Sequence, residues 1–152
     1  MISDKKRILI IDDDEDILET LHSLLTRKGY AAETANCGMV AVEKSLSSFF
    51  NLALIDIVLP DMEGTQLLVK LKPTVPKMRK IIITGHAALD NAIKAVNMGA
   101  DAYLMKPVNP QELIKTVEEQ LKLQEEDTRI TQDKISSYVA ARVKQLKEEE
   151  ND

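Results

Sequence analysis

A doubly wound parallel α/β sheet is the fold class this sequence predicts, and three observations predict it. Short apolar runs alternate five times with stretches of helical periodicity, the pattern of linked β–α–β units. Three of those runs are nearly all apolar, as strands covered on both faces must be. Charged or hydroxyl residues stand where runs end: Asp12 and Asp13 after RILII, Asp56 after LALI, Thr84 after KIII and Lys106 after AYLM. Open α/β sheets bind their ligands in the crevice beyond those carboxyl ends.

The strand-like runs are 7–11, 30–34, 52–55, 80–84 and 102–105. The first helix, 14–28, puts Ile17, Leu18, Leu21, Leu24 and Leu25 on one stripe and stops at Gly29. A shorter one, 38–47, uses Val40, Ala41 and Leu46. The third, 65–71, follows the loop Pro60-Asp61-Met62-Glu63-Gly64 and ends before Pro73. The fourth, 88–98, carries Ile93 and Val96 ahead of Gly99. Pro110 opens the fifth, where a missing N–H costs nothing. Right-handed crossovers prune the topologies, and the flavodoxin-like order 2-1-3-4-5 is chosen because it joins the ends of strands one and three. Asp12, Asp13 and Asp56 then meet at the topological switch point.

With 152 residues, 44% of them apolar, the chain holds one well-filled domain and something more. A net charge of −5 argues against direct nucleic-acid binding through phosphate neutralisation. The one cysteine, Cys37, cannot form an internal disulfide and fits a reducing compartment. No apolar stretch approaches the roughly 20 residues of a membrane span, and no signal peptide opens the chain. The expected setting is cytoplasmic and soluble. Beyond about residue 121 there is no Gly or Pro, many charges, and a weak stripe of Ile135, Tyr138, Val139, Val143 and Leu146. This segment reads as helix, either a coiled-coil strand or a solvated tail; Thr128 and Arg142 interrupt the seam.

Three carboxylates in one crevice repel one another and stay ionised only with a cation among them. Oxygen ligands at strand ends suit a hard ion such as Mg²⁺, which binds few carboxylates and keeps several waters. A carboxylate is also a nucleophile toward phosphorus, and Asp56, the lone acid ending the central strand, fits that role best. Lys106 supplies a cation for the phosphoryl charge and Thr84 a hydroxyl donor. Asp14 and Glu15 favour a helix N-terminus instead. His22 reads as a surface residue and Cys37 as packing; His86 borders the pocket with no acid–base partner. Asp12-x-Asp14-x-Asp16 mimics a calcium loop, but Ile17 and Ser23 stand where that loop needs Gly and Glu.

The strings ILIIDDDEDI, LALIDIVLPDMEG, IIITGHA and GADAYLMKPV resemble, in order and spacing, the receiver domain of two-component response regulators. The resemblance covers about 5–122 and leaves 123–152 as a charged helical tail or linker. It implies that Asp56 is the phosphoacceptor, charged from a phosphohistidine on a sensor histidine kinase or phosphotransfer protein. It implies that Asp13 binds Mg²⁺ directly and Asp12 through water, with Asp56 and the Val58 main-chain carbonyl among the metal ligands. Thr84 and Lys106 would contact the phosphoryl group, across a cis Lys106–Pro107 bond. On phosphorylation Thr84 would shift and Tyr103 turn inward, reshaping the surface of helix 4, strand 5 and helix 5 for a partner, an output domain or a second copy. Val58 and His86 occupy positions that tune phosphoryl lifetime in such receivers. TGHA resembles receivers attached to transcription activators; the chain reads either as a stand-alone receiver acting by protein contact or, the favoured expectation, as a receiver cut within a linker helix. Two other classes compete: a haloacid-dehalogenase-like phosphatase with Asp12 as nucleophile, and a structural dimerisation module driven by the tail.

Overall fold

The computed structural model of the chain describes residues 5–85 and 89–151. Five parallel strands, β1 (Arg7–Ile11), β2 (Ala31–Ala35), β3 (Leu52–Asp56), β4 (Arg79–Thr84) and β5 (Ala102–Met105), form one sheet in the order β2-β1-β3-β4-β5. They alternate with α1 (Glu15–Arg27), α2 (Gly38–Ser47), α3 (Gly64–Lys70), α4 (Leu89–Asn97) and α5 (Pro110–Glu150). The predicted fold class and strand order are those observed. β2 begins and ends one residue later than expected, at Ala31 and Ala35.

Side chains alternate across a strand, so an all-apolar strand feeds two cores. Ile8, Ile10, Leu52, Leu54, Ile81 and Ile83 meet Leu18 and Leu25 of α1 and Leu113 and Val117 of α5. Leu9, Ile11, Ala53, Ile55 and Ile82 point the other way, onto Ala41, Leu67, Leu68 and Ala95 of α2 to α4. The helices start where their caps dictate. The Asp14 carboxylate accepts from the Asp16 amide at 2.9 Å and from the Ile17 amide at 3.3 Å. Asn109 does the same for α5, with Pro110 in its first turn. Gly29 sits at φ 95° and Gly99 at φ 106°. These are the left-handed positions that end α1 and α4.

Two expected stripes differ. Leu46 is 62% exposed, while Ser45 is buried and donates to the Val42 carbonyl at 2.7 Å. By the helical repeat Ser45, not Leu46, stands one turn on from buried Ala41. Among the described side chains of α4, Ala95 is buried, and Ile93 and Val96 are 51% and 63% exposed. The small Ala95 packs into the core, while Ile93 and Val96 stay outside.

Helix α5 runs unbroken for 41 residues. At the α-helical rise per residue that is a rod about 60 Å long. Its last buried residue is Gln124. The Gln124 amide donates to the Lys77 and Asn51 carbonyls at 2.7 and 2.9 Å and accepts from the Asn51 side chain at 3.3 Å. Arg79 pairs with Asp101 at 3.3 Å and with Asp127. These bonds fasten the helix to the rear edge of the sheet, opposite the strand ends that carry the acids. Ile135, Tyr138, Val139, Val143 and Leu146 beyond it are exposed. No helix among the described residues is long and apolar enough to cross a membrane.

Candidate phosphoryl and metal site

Strand register builds the site. Ile11 pairs with Ile55, so the next residues of adjacent strands, Asp12 and Asp56, leave the sheet at one level. Asp12 and Asp56 are 3% and 7% exposed, whereas Asp13 is open to solvent. One carboxylate oxygen from each of the three lies within 4.8 Å of the others. The Asp12 amide donates to the Ala35 carbonyl at 3.1 Å, and Asp12 Oδ1 accepts from the Asp14 amide at 2.9 Å.

Lys106 closes the cluster. Its ammonium donates to Asp12 Oδ2 at 2.8 Å and Asp56 Oδ2 at 3.1 Å, and its amide donates to the Thr84 carbonyl at 2.7 Å. The Lys106–Pro107 peptide is cis, as the resemblance implied. Thr84 ends β4 fully buried. Tyr103 on β5 pairs in register with Ile82 and is half-buried, packed on the α2-to-α4 core. Val58 donates its amide to Asp56 Oδ1 at 3.1 Å while its side chain is 53% exposed. His22 is exposed and Cys37 is partly buried at the start of α2. His86 lies outside the described residues.

Burial pushes the Asp56 carboxyl above its ordinary value, and the Asp12 charge adds to the rise. The Val58 amide and the Lys106 ammonium work against it without reversing it. Burial also disfavours the Lys106 charge, but hydrogen bonds and attraction from Asp12 and Asp56 outweigh it and raise its pKa. One ammonium therefore faces two buried carboxylates and an exposed third. That surplus of negative oxygen, closed on the Asp12–Asp56 side and open at Asp13, fits a hard divalent cation retaining waters.

The loop after Asp56 is held by backbone and side chain together. The Gly64 amide donates to the Ile57 carbonyl at 2.8 Å, and Val58 bridges Glu63. A Cβ on Gly64 would stand 2.3 Å from the Asp56 carbonyl oxygen and 2.7 Å from Ile57 Cα, backbone atoms with nowhere to go. Gly64→Ala is expected to lower stability by about 2–3 kcal/mol and to displace Asp56; thermal melts and Mg²⁺ binding measure both. Sequence reasoning assigned nothing to Asp61 in this loop. Its carboxylate accepts from the Gly38 and Met39 amides at 2.8 Å each, across 23 and 22 residues. Two polar amides at the start of an uncapped helix are invisible in a linear pattern; only an acid in a turn signals the contact.

Comparison with known proteins agrees with this geometry. A family model described as the response regulator receiver domain matches residues 8–118. The chain is 34% identical over 124 residues to the alginate biosynthesis transcriptional regulatory protein AlgB of Pseudomonas putida, covering 82% of this chain and 28% of AlgB. It thus spans less than a third of that relative's length. A CheY-like receiver domain from Methanospirillum hungatei superposes with a TM-score of 0.77 at 49% identity, over 81% of this chain and 98% of that one. A response regulator from Burkholderia pseudomallei, solved with a phosphorylated aspartic acid, calcium ion and citrate, gives 0.69 at 31% identity, over 81% and 73%. With a receiver-domain model matched over residues 8–118, the chain belongs to the response regulator receiver domain family.

Proposed function

We propose that this receiver is a phosphorylation-controlled switch in which Asp56 accepts the phosphoryl group. The observation that carries the reading is the Lys106 ammonium spanning Asp12 and Asp56, with the exposed Asp13 oxygen within 4.8 Å. Asp56 Oδ attacks the phosphorus of a phosphohistidine on a sensor kinase or phosphotransfer protein. An O–P bond forms as the N–P bond breaks, and the departing imidazole takes a proton from solvent. Lys106 follows the developing charge onto the phosphoryl oxygens, and Thr84 offers its hydroxyl. Asp13, Asp56 and the Val58 carbonyl would hold Mg²⁺, with Asp12 acting through water. A bound Mg²⁺ would offset the charge shared by the carboxylates and the incoming oxygens.

The added charge then biases the Thr84–Tyr103 pair and the outer face of α4, β5 and α5, where Ile93, Val96 and Met105 are exposed. Residues 5–122 act as the receiver and 123–152 as a helical linker toward an output; AlgB, a relative, is a transcriptional regulatory protein. A second copy binding the phosphorylated face is the proposed mode of assembly, in a cytoplasmic setting. The chain turns over no outside substrate beyond its own phosphorylation and dephosphorylation. The dehalogenase-like phosphatase reading is not favoured, since the family match is to receivers throughout 8–118.

Acetyl phosphate tests the reading. With Mg²⁺ the intact mass should rise by one phosphoryl group, and chelation by EDTA should prevent it. Labelling that is indifferent to EDTA contradicts the proposed cation.

A further inference from the structure

The acids and Val58 sit on two separate loops, and a binding site needs those loops held in fixed relation. Asp12 and Asp13 follow β1; Val58 follows β3. A third segment, the turn from β2 into α2, touches both. Its Ala35 carbonyl accepts the Asp12 amide at 3.1 Å. Its Gly38 and Met39 amides donate to the two carboxylate oxygens of Asp61, at 2.8 Å each. The α2 cap residue, Cys37, makes no side-chain cap bond, so Asp61 performs that task from across the chain. Met62 lies against Gly38 so closely that a Cβ there would stand 2.4 Å from its sulfur.

We propose that Asp61, which is no ligand itself, is a positioning residue for the cation site: by clasping the start of α2 it fixes the Val58 loop relative to the Asp12–Asp13 loop. The inference rests on the reading of Asp13, Asp12 and Val58 as the groups that hold Mg²⁺. Asp61 is exposed and three residues beyond Val58, so it reaches the cation only through the loop.

Calorimetric titration of Mg²⁺ without phosphodonor tests it, on wild type, Asp61→Ala, Asp61→Asn, Glu43→Gly and Asp13→Asn, each checked for folding by circular dichroism. Loss of an outer partner weakens metal binding by about tenfold or more, and that is the result expected for Asp61→Ala. Asp61→Asn keeps one acceptor oxygen and should lose less. At saturating Mg²⁺ the labelling rate of Asp61→Ala with acetyl phosphate should return to the wild-type value. Glu43→Gly weakens α2 at an exposed position away from the loop and should bind Mg²⁺ as wild type does. Equal losses in Glu43→Gly and Asp61→Ala overturn the proposal in favour of simple helix stability. Unchanged affinity in both Asp61 variants, with Asp13→Asn weakened, overturns the positioning role and leaves the metal reading standing. Unchanged affinity in Asp13→Asn as well defeats the metal reading and the proposal with it.

Discussion

Asp56→Asn is expected to abolish covalent phosphorylation by acetyl phosphate, and to stabilise the fold while doing so. An amide oxygen is a poor nucleophile, so the variant lacks the attacking carboxylate. Asp12→Asn should slow labelling through weaker cation binding yet leave the phosphoryl on Asp56. A phosphatase using Asp12 requires the reverse, so peptide mapping of the two variants separates the readings. The stability half follows from the raised pKa of Asp56. A carboxyl whose folded pKa is raised contributes stability that is present at low pH and lost as pH climbs through the folded value. At neutral pH without Mg²⁺, Asp56→Asn should therefore melt a few degrees above wild type, about 1 kcal/mol being worth roughly 2–8 °C. The margin should shrink in acid and on adding Mg²⁺. A variant that melts lower than wild type at neutral pH contradicts this balance.

Lys106→Ala is expected to separate phosphorylation from switching. It removes the one ammonium shared by Asp12 and Asp56, both nearly buried, and leaves their charges facing each other. The apo protein should lose about 1–3 kcal/mol, a value moderated by partial exposure of the lysine, and Mg²⁺ should restore part of it. Labelling should persist at a rate reduced by about a hundredfold, the usual effect of deleting one charge-stabilising donor. The phosphorylated variant should nonetheless show no shift in backbone amide resonances along α4, β5 and α5. Normal shifts in that variant contradict the role given to Lys106.

Much of this architecture was legible because strand and helix periods differ sharply. Buried strands such as LALI carry no polar residue, so their ends are marked by the first acid, and Asp56 fell at the switch point on strand order alone. Lys106 was harder: one lysine before proline says little, and its bonds to Asp12 and Asp56 cross 94 and 50 residues. Helix faces were read less well where the buried residue is small. Ala95 and Ser45 face inward on α4 and α2, while the more hydrophobic Val96 and Leu46 beside them face out. Apolar pattern weighs size, whereas close packing of a short helix favours small groups.

Polar devices stayed hidden for a different reason. The Gln124–Asn51 clasp and the Asp61 cap join segments 73 and 23 residues apart through amides that any surface residue could own. Burial makes the Gln124–Asn51 bonds obligatory, and only the fold brings Asp61 to the Gly38 and Met39 amides. The continuity of α5 was readable as far as residue composition goes, from the lack of Gly and Pro after residue 121.

The most direct measurement is a crystal structure of the chain grown with Mg²⁺ and beryllofluoride, a phosphoryl mimic. The expected result is beryllium bonded to an Asp56 oxygen, with its fluorides hydrogen-bonded by Lys106 and Thr84. The cation should rest against Asp13 and the Val58 carbonyl. Beryllium on Asp12, or carboxylates parted with neither ion between them, would contradict it.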